Sequence, residues 1–248
     1  MPENAKPKGA CLVVGAGDGL GAAIARAFAA DGLAVCVTRR PRHFEQLDAL
    51  AASIREAGGA AQAFGLDARI EEEVVGLVDR IEREIAPLEV LVFNIGANVR
   101  FPIVETTTRV YSKVWEMAAL AGFLAGREAA RVMTPRGRGT ILFTGATASI
   151  RGGAGFSGFA GAKHALRALA QSMARELGPK GVHVAHVVID GRVDGAFIRS
   201  ITPDWRERLE RDEILHPDEI AKNYVWLHRQ HRSAWTHEMD LRPWAETW

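Results

Sequence analysis

Cysteine and tyrosine are scarce in this chain, and neither sign of charge is in surplus. Its 248 residues include two cysteines and two tyrosines. Cys11 and Cys36 each sit inside a short apolar run of the kind that forms a buried strand, where a thiol behaves as a small hydrophobe. They build no disulfide framework, and no Cys or His spacing resembles a zinc site, so no metal is expected. The balance of 31 basic and 30 acidic residues offers no positive field for nucleic acid or an anionic membrane. No apolar run approaches the ~20 residues that cross a bilayer. Residues Met1–Gly9 are polar and contain proline. They lack the apolar stretch of a secretory signal and read as a short disordered lead-in, with a cytoplasmic location expected.

What is present is ordinary globular composition, 48% hydrophobic and 25% charged, enough for one large α/β core. Short apolar runs alternate with longer helical patterns. Strands are predicted at Ala10–Val14, Ala34–Thr38, Ala61–Leu66, Glu89–Phe93, Thr140–Thr144 and Val182–Ile189, with a last one near Trp235–Leu241. Between them lie stripes at helical spacing: Leu20, Ile24, Ala27 and Phe28, then Leu47, Leu50, Ala51 and Ile54, then Val74, Leu77, Val78, Ile81 and Ile85. Longer helices are predicted over Arg109–Met133 and Phe159–Leu177, and Pro217 opens a pattern that reaches Leu227. This rhythm predicts one domain over residues 10–248, a doubly wound parallel sheet with helices on both faces. Three long irregular stretches, Asn94–Thr107, Ala146–Gly158 and Asp190–Glu213, each follow the C-terminal end of a strand, the edge where open α/β sheets bind ligands.

The first strand runs into Val14-Gly15-Ala16-Gly17-Asp18-Gly19-Leu20-Gly21, and a helix follows. Glycines let the backbone approach a pyrophosphate, and a helix N-terminus offers free N–H groups at its positive dipole end. Asp18 is a candidate cap for that helix. A glycine-rich loop is weak evidence alone and strong evidence between a strand and a helix at the start of a βαβ repeat.

The spacing Gly15-x-x-x-Gly19-x-Gly21 resembles the cofactor loop of the short-chain dehydrogenase/reductase family, with Val14 where the family has threonine. The resemblance extends over nearly the whole chain and implies a Rossmann-type fold. It makes Gly15, Gly17, Asp18, Gly19, Leu20 and Gly21 neighbours of a dinucleotide. Asp67, with Ala68 beside it, resembles the adenine-contacting aspartate. Asn94-Ile95-Gly96 is similar to the end of the N-N-A-G motif, with Phe93 in place of its first Asn. Asp190-Gly191 stands where the family has Pro-Gly, and Val193 resembles the residue whose backbone meets the nicotinamide amide.

After the second strand come Arg39, Arg40 and Arg42. An acid at this place suits the ribose 2′-OH of NAD, and a base suits a 2′-phosphate, whose geometry the arginine fork matches. NADP(H) is therefore expected over NAD(H). The alternative is a solvated basic turn, and the Asp18 charge near the phosphates is a mild counterweight.

For catalysis the resemblance implies an Asn-Ser-Tyr-Lys set, in which Tyr exchanges the substrate proton, Lys lowers the Tyr pKa and holds the ribose, Ser fixes the carbonyl, and Asn orders a relay water. The Y-x-x-x-K segment is here Phe159-Ala160-Gly161-Ala162-Lys163. Lys163 survives and the phenol does not. Ala146 falls at the serine position, with Thr147 and Ser149 as nearby hydroxyls, and Ala119 falls at the asparagine position. Phenylalanine has no proton to exchange, and a positioned acid is worth ~10²–10⁴-fold in rate. Among substitutes, His164 is expected to face away from Lys163, His186 to be a buried structural residue, and Tyr111 and Trp115 to pack. Lys163 itself could act if burial lowered its pKa.

Three functions remain open at this level: an NADP(H)-dependent oxidoreductase with an altered proton relay, a dinucleotide-binding sensor or partner subunit without turnover, and a non-redox enzyme using the same cleft. A homo-oligomer, dimer or tetramer, is expected through the two long helices, with Ala118, Ala119, Ala121 and Gly122 allowing close approach. Trp235, Trp244 and Trp248 are placed to pack the last strand, join an interface or close the cleft.

Overall fold

The computed structural model describes residues 7–246. Most of the expected lead-in, and Trp248, lie outside the described residues. Seven strands, β1 (Ala10–Val14), β2 (Ala34–Arg39), β3 (Ala60–Gly65), β4 (Leu88–Phe93), β5 (Gly139–Thr144), β6 (Val182–Ile189) and β7 (Glu238–Leu241), form one sheet in the order β3-β2-β1-β4-β5-β6-β7. Every pairing is parallel, with Val14 opposite Thr38 on one side and Phe93 on the other. The chain works outward from β1 to β3 and then crosses back to β4. The strand order therefore reverses beside β1, and a crevice opens there at the C-terminal strand ends.

The helices bury most of their predicted stripes, with Leu20, Ala27 and Ile85 only half-buried. On one face α1 (Leu20–Ala30), α2 (Phe44–Glu56) and α9 (Pro217–Arg229) pack Ile24, Phe28, Leu47, Ile54 and Tyr224 against the sheet. On the other, α3 (Glu71–Glu84), α5 (Ala121–Met133) and α6 (Ser157–Leu177) contribute Val78, Ile81, Leu124, Met133 and Leu166. Cys11 and Cys36 are free and buried.

The expected helix over 109–133 is divided. After α4 (Thr108–Trp115) the backbone makes a π turn at Glu116–Leu120 before α5 begins. Its small residues serve this chain rather than a neighbour. Ala118 and Ala121 are buried, and a Cβ on Gly122 would lie 2.5 Å from Leu166 Cδ1 and 3.2 Å from Phe93 Cε1. The expectation that they form a subunit contact is therefore corrected: their smallness lets α5 approach α6 and β4. Tyr111 and Trp115, expected to pack, are 45% and 43% exposed. The stretch 190–213, expected to be irregular, contains α7 (Ala196–Ile201) and α8 (Trp205–Glu210). Six residues are too few to show a helical period.

Candidate active site

The glycine loop has the conformation its composition demands. Gly15 has φ +96°, a left-handed backbone natural to glycine, and a Cβ there would meet the Asn94 carbonyl at 3.0 Å. A Cβ on Gly21 would lie 2.5 Å from Gly15 O, so only glycine lets α1 start this close to the loop. Gly17 faces open space, with nothing within 4 Å of an added Cβ. Asn94 braces the loop, its Nδ2 donating to Gly15 O at 3.1 Å. Gly19 caps α1 without a side-chain bond, which corrects the capping role expected of Asp18. That carboxylate turns across the crevice and accepts from the Ala196 N–H at 3.0 Å.

Beyond the loop, a hollow of about 250 Å³ is walled by Gly15, Gly17, Arg39, Arg40, Asp67 and Ala68, with Asn94–Gly96 as its inner rim. The basic turn after β2 lines this hollow and is thus more than a solvated surface. Arg39 Nη1 donates to Gln46 Oε1 at 3.1 Å. Burial, and then the Arg42 charge, hold the Arg40 guanidinium below its ordinary pKa. Asp67 is braced by a residue that sequence reasoning missed. Arg69 donates to Oδ1 from Nε at 2.9 Å and to Oδ2 from Nη2 at 2.6 Å, and this hydrogen bonding holds the carboxyl below its usual range. The signal for it was the Asp-x-Arg spacing, which lets a side chain two residues on fold back over the carboxylate.

On the far side of the same Asn94–Gly96 rim lies a cleft of about 510 Å³, lined by Leu20, Ala146, Phe159, Lys163, Gly191 and Val193. Lys163 is buried, and its Nζ donates to Ile95 O at 3.0 Å and Thr144 O at 2.8 Å. Burial alone pulls its pKa down to about 7. The Phe159 ring centre is 6.0 Å from Nζ. Ala146 presents a methyl group to the cleft, and its N–H donates to Ser149 Oγ at 3.1 Å. Ser149 is completely buried. The Thr147 hydroxyl donates to Asp190 Oδ1 at 2.5 Å, and this residue lines a separate hollow with Arg192 and Arg208. Ala119 is buried on the π turn.

None of the remaining acid–base candidates lines the cleft, although His186 Nε2 stands behind Gly145 on its wall. His164, expected to face away from Lys163, is exposed. His186 is buried with Nδ1 3.0 Å from Glu238 Oε2, and burial pulls its pKa down to about 4. Tyr224 is buried on the opposite sheet face, sharing a 2.8 Å hydrogen bond with Thr144 Oγ1, and burial raises its phenol. Trp235 stacks on His183 with ring centres 4.9 Å apart, while Trp244 is 79% exposed. The segment after β6 is pinned over the cleft by a Val193–Leu215 bridge and by the Asp194–Arg199 ion pair at 2.7 Å.

Two hollows thus meet at the strand-order switch, one basic and one holding a buried amine. The sequence profile of the short chain dehydrogenases matches residues 9–204. The chain belongs to the short-chain dehydrogenase family. Across 88% of its length this short-chain dehydrogenase is 30% identical to short-chain reductase protein NovJ of Streptomyces niveus, 86% of which is covered. It is 29% identical to cis-4-hydroxycyclohexanecarboxylate dehydrogenase of Sinomonas cyclohexanicum, over 87% of each chain. Among solved structures, a short-chain dehydrogenase from Rhodopseudomonas palustris is 50% identical, with TM-score 0.81, and covers 96% of this chain and 100% of its own. Membership explains the seven-stranded parallel sheet and the glycine loop together. No helix among the described residues is long and apolar enough to cross a membrane.

Proposed function

We propose that this short-chain dehydrogenase is an NADP(H)-dependent oxidoreductase that interconverts a carbonyl and an alcohol, with Phe159 where the family carries its proton-exchanging tyrosine. The observation that carries the reading is the pair of hollows joined at Asn94–Gly96, with Arg39 and Arg40 at one end and Lys163 at the other. The residues fit a dinucleotide: Gly17 leaves its side of the loop open, while Gly15 and Gly21 have backbone too close for any larger residue.

In this reading the first amides of α1, at its positive dipole end, hold the pyrophosphate. Arg39 and Arg40 hold the 2′-phosphate, where two forked guanidinia match a dianion. Asp67, fixed by Arg69, and Ala68 border the adenine. Lys163 donates to the nicotinamide ribose, and Gly191 and Val193 border the nicotinamide ring. A bound reduced nicotinamide supplies a hydride. The names of the relatives, a reductase and a hydroxyacid dehydrogenase, support an alcohol–carbonyl pair as substrate. Phe159 and Ala146 leave an apolar wall where the family places two hydroxyls, so turnover is slow.

Titration calorimetry with NADPH and NADH tests the reading. NADPH is expected to bind at least about tenfold more tightly, a difference of about 1.4 kcal/mol. Arg39→Asp is expected to remove or invert that preference. Equal affinities in the wild type contradict NADP(H) selection, and absence of binding contradicts the function.

A further inference from the structure

We propose that Arg192 is a specificity-determining residue that holds the carboxylate of an acidic substrate while its carbonyl occupies the Lys163 cleft, an inference that rests on the oxidoreductase reading above. Charge accounting leads to this residue. Four charged side chains line the cleft: Asp18, Lys163, Arg192 and Asp194. Asp18 accepts from the Ala196 N–H, and Asp194 is held by two hydrogen bonds from Arg199. Lys163 donates to Ile95 O and Thr144 O, and in the reading above it also serves the ribose. Arg192 is exposed, and its guanidinium makes no hydrogen bond or ion pair among the described residues. The uncommitted charge on the cleft wall is therefore positive.

An exposed arginine is ordinary surface, but its position sets Arg192 apart. Thr147, Gly191, Arg192, Arg208, Glu213 and Glu246 wall a second hollow of about 650 Å³. Gly191 and Arg192 are common to this hollow and the cleft, so the guanidinium stands where the two join. No residue of the glycine loop lines the second hollow. A group held there belongs to the substrate rather than to the pyrophosphate. The backbone beneath Arg192 is pinned. The Leu215 N–H donates to Arg192 O at 2.8 Å, and the Asp194 N–H donates to Leu215 O at 3.0 Å. A Cβ on Gly191 would lie 2.7 Å from Pro243 Cδ. Binding an anion thus orders one side chain and not its loop, which keeps the entropic cost small.

The neighbours choose the anion. Arg208 is spent on Asp204 at 2.8 Å and on Glu213 at 3.2 Å. The Arg208 hydrogen bond holds the Asp204 carboxyl below its ordinary range, with a smaller push from the Arg192 charge. Glu246 stands 3.9 Å from Arg151. Glu213 and Glu246 repel a dianionic phosphate more strongly than a monoanion, and Arg192 is the cation left to offset that repulsion. A carboxylate is neutralised by Arg192 alone, and its two oxygens match the guanidinium fork.

The rest of the cleft lining is largely apolar, with Leu20, Ile95, Ala146, Phe159, Val193 and Phe197. The substrate class that fits is an oxo acid, or the matching hydroxy acid, with an apolar body. Its carboxylate takes no part in the chemistry and is held equally before and after hydride transfer. Such uniform binding lowers KM and leaves kcat alone.

Calorimetry on the NADP⁺ complex, where no hydride is available, compares 4-acetylbenzoate with its methyl ester. The two share a ketone and an apolar body and differ in charge. The acid is expected to bind at least about tenfold more tightly than the ester, the worth of one charge-assisted hydrogen bond, and more tightly than 4-acetylphenyl phosphate. Arg192→Gln is expected to bring the acid-to-ester ratio close to one. Arg192→Lys, which keeps the charge and loses the fork, is expected to fall between. With NADPH, the acid's advantage is expected in KM and not in kcat. Equal wild-type affinities for acid and ester, or no binding of either, overturn the inference and leave dinucleotide binding intact. An Arg192→Gln protein that keeps the preference for the acid also overturns it. Tighter binding of the phosphate overturns the carboxylate assignment. A wild type that does not bind NADPH, seen in a separate titration, overturns the oxidoreductase reading and the inference with it. The wild-type comparison decides the matter even if neither variant folds.

Discussion

Lys163 Nζ stands 6.0 Å from the centre of the Phe159 ring, and both side chains wall the same cleft. One turn of α6 separates them, and in the proposed function Phe159 stands where the family carries its tyrosine. A phenol would give the ammonium a partner through which to act. An arene gives it a weak cation–π contact and a dry wall.

Asp18 links the glycine loop to the segment that roofs the cleft, through its bond to the Ala196 N–H. Asp18→Ala is expected to raise the hydrogen-exchange rate of that amide by about tenfold, the worth of one charge-assisted hydrogen bond. Removal of a negative charge beside the pyrophosphate site should also tighten NADPH binding by about two- to tenfold. Unchanged exchange at Ala196 would show that the bond holds nothing in place.

His186 makes stability depend on pH. Its folded pKa is about 4, depressed mainly by burial, against about 6.5 in an unfolded chain. The unfolded state thus takes up a proton first as pH falls. The associated stability is complete above pH 6.5 and is lost progressively down to about pH 4, to a total of about 3 kcal/mol. Urea denaturation of wild type and His186→Gln across this window checks the sign. The wild type should lose stability faster on acidification, and parallel curves would refute the prediction.

Tyr111, Trp115 and Phe123 are between 42% and 45% exposed along α4 and α5, a row of aromatic surface on the helices expected to join subunits. Light scattering at micromolar concentration should give at least twice the 26.9 kDa chain mass. Trp115→Glu should shift the population toward monomer by tenfold or more in dissociation constant. A wild type that runs only as a monomer would dismiss the interface.

Much of the fold was legible because period and burial agree. The six longer strands lie within one residue of their predicted ends, and the stripes Leu47–Ile54 and Val74–Ile81 are buried as spaced. β7 was harder. It begins at Glu238, and Trp235, stacked on His183, lies outside it. α7 and α8 carry too few residues for a period. The misread features depend on partners distant in sequence. Asp18 finds an amide 178 residues away. Gly122 is small because Leu166 and Phe93 lie against it, and Ala118 packs in a cluster with Phe159 and Ala162, neither of which spacing within one helix reveals. Thr147, expected near the Lys163 cleft, spends its hydroxyl on Asp190, and that aspartate lies where the resemblance anticipated proline.

The most direct test of the whole account compares NADPH consumption by the wild type and by Ala146→Ser/Phe159→Tyr, side by side on a diketone and quinone panel. The double variant places two hydroxyls in the cleft that Lys163 lines. It is expected to exceed the wild type by at least about tenfold, toward the 10²–10⁴-fold worth of a positioned acid, while the wild type stays below about 1 s⁻¹. A wild type turning over at 1–10³ s⁻¹ and gaining nothing from the restored phenol would contradict the account.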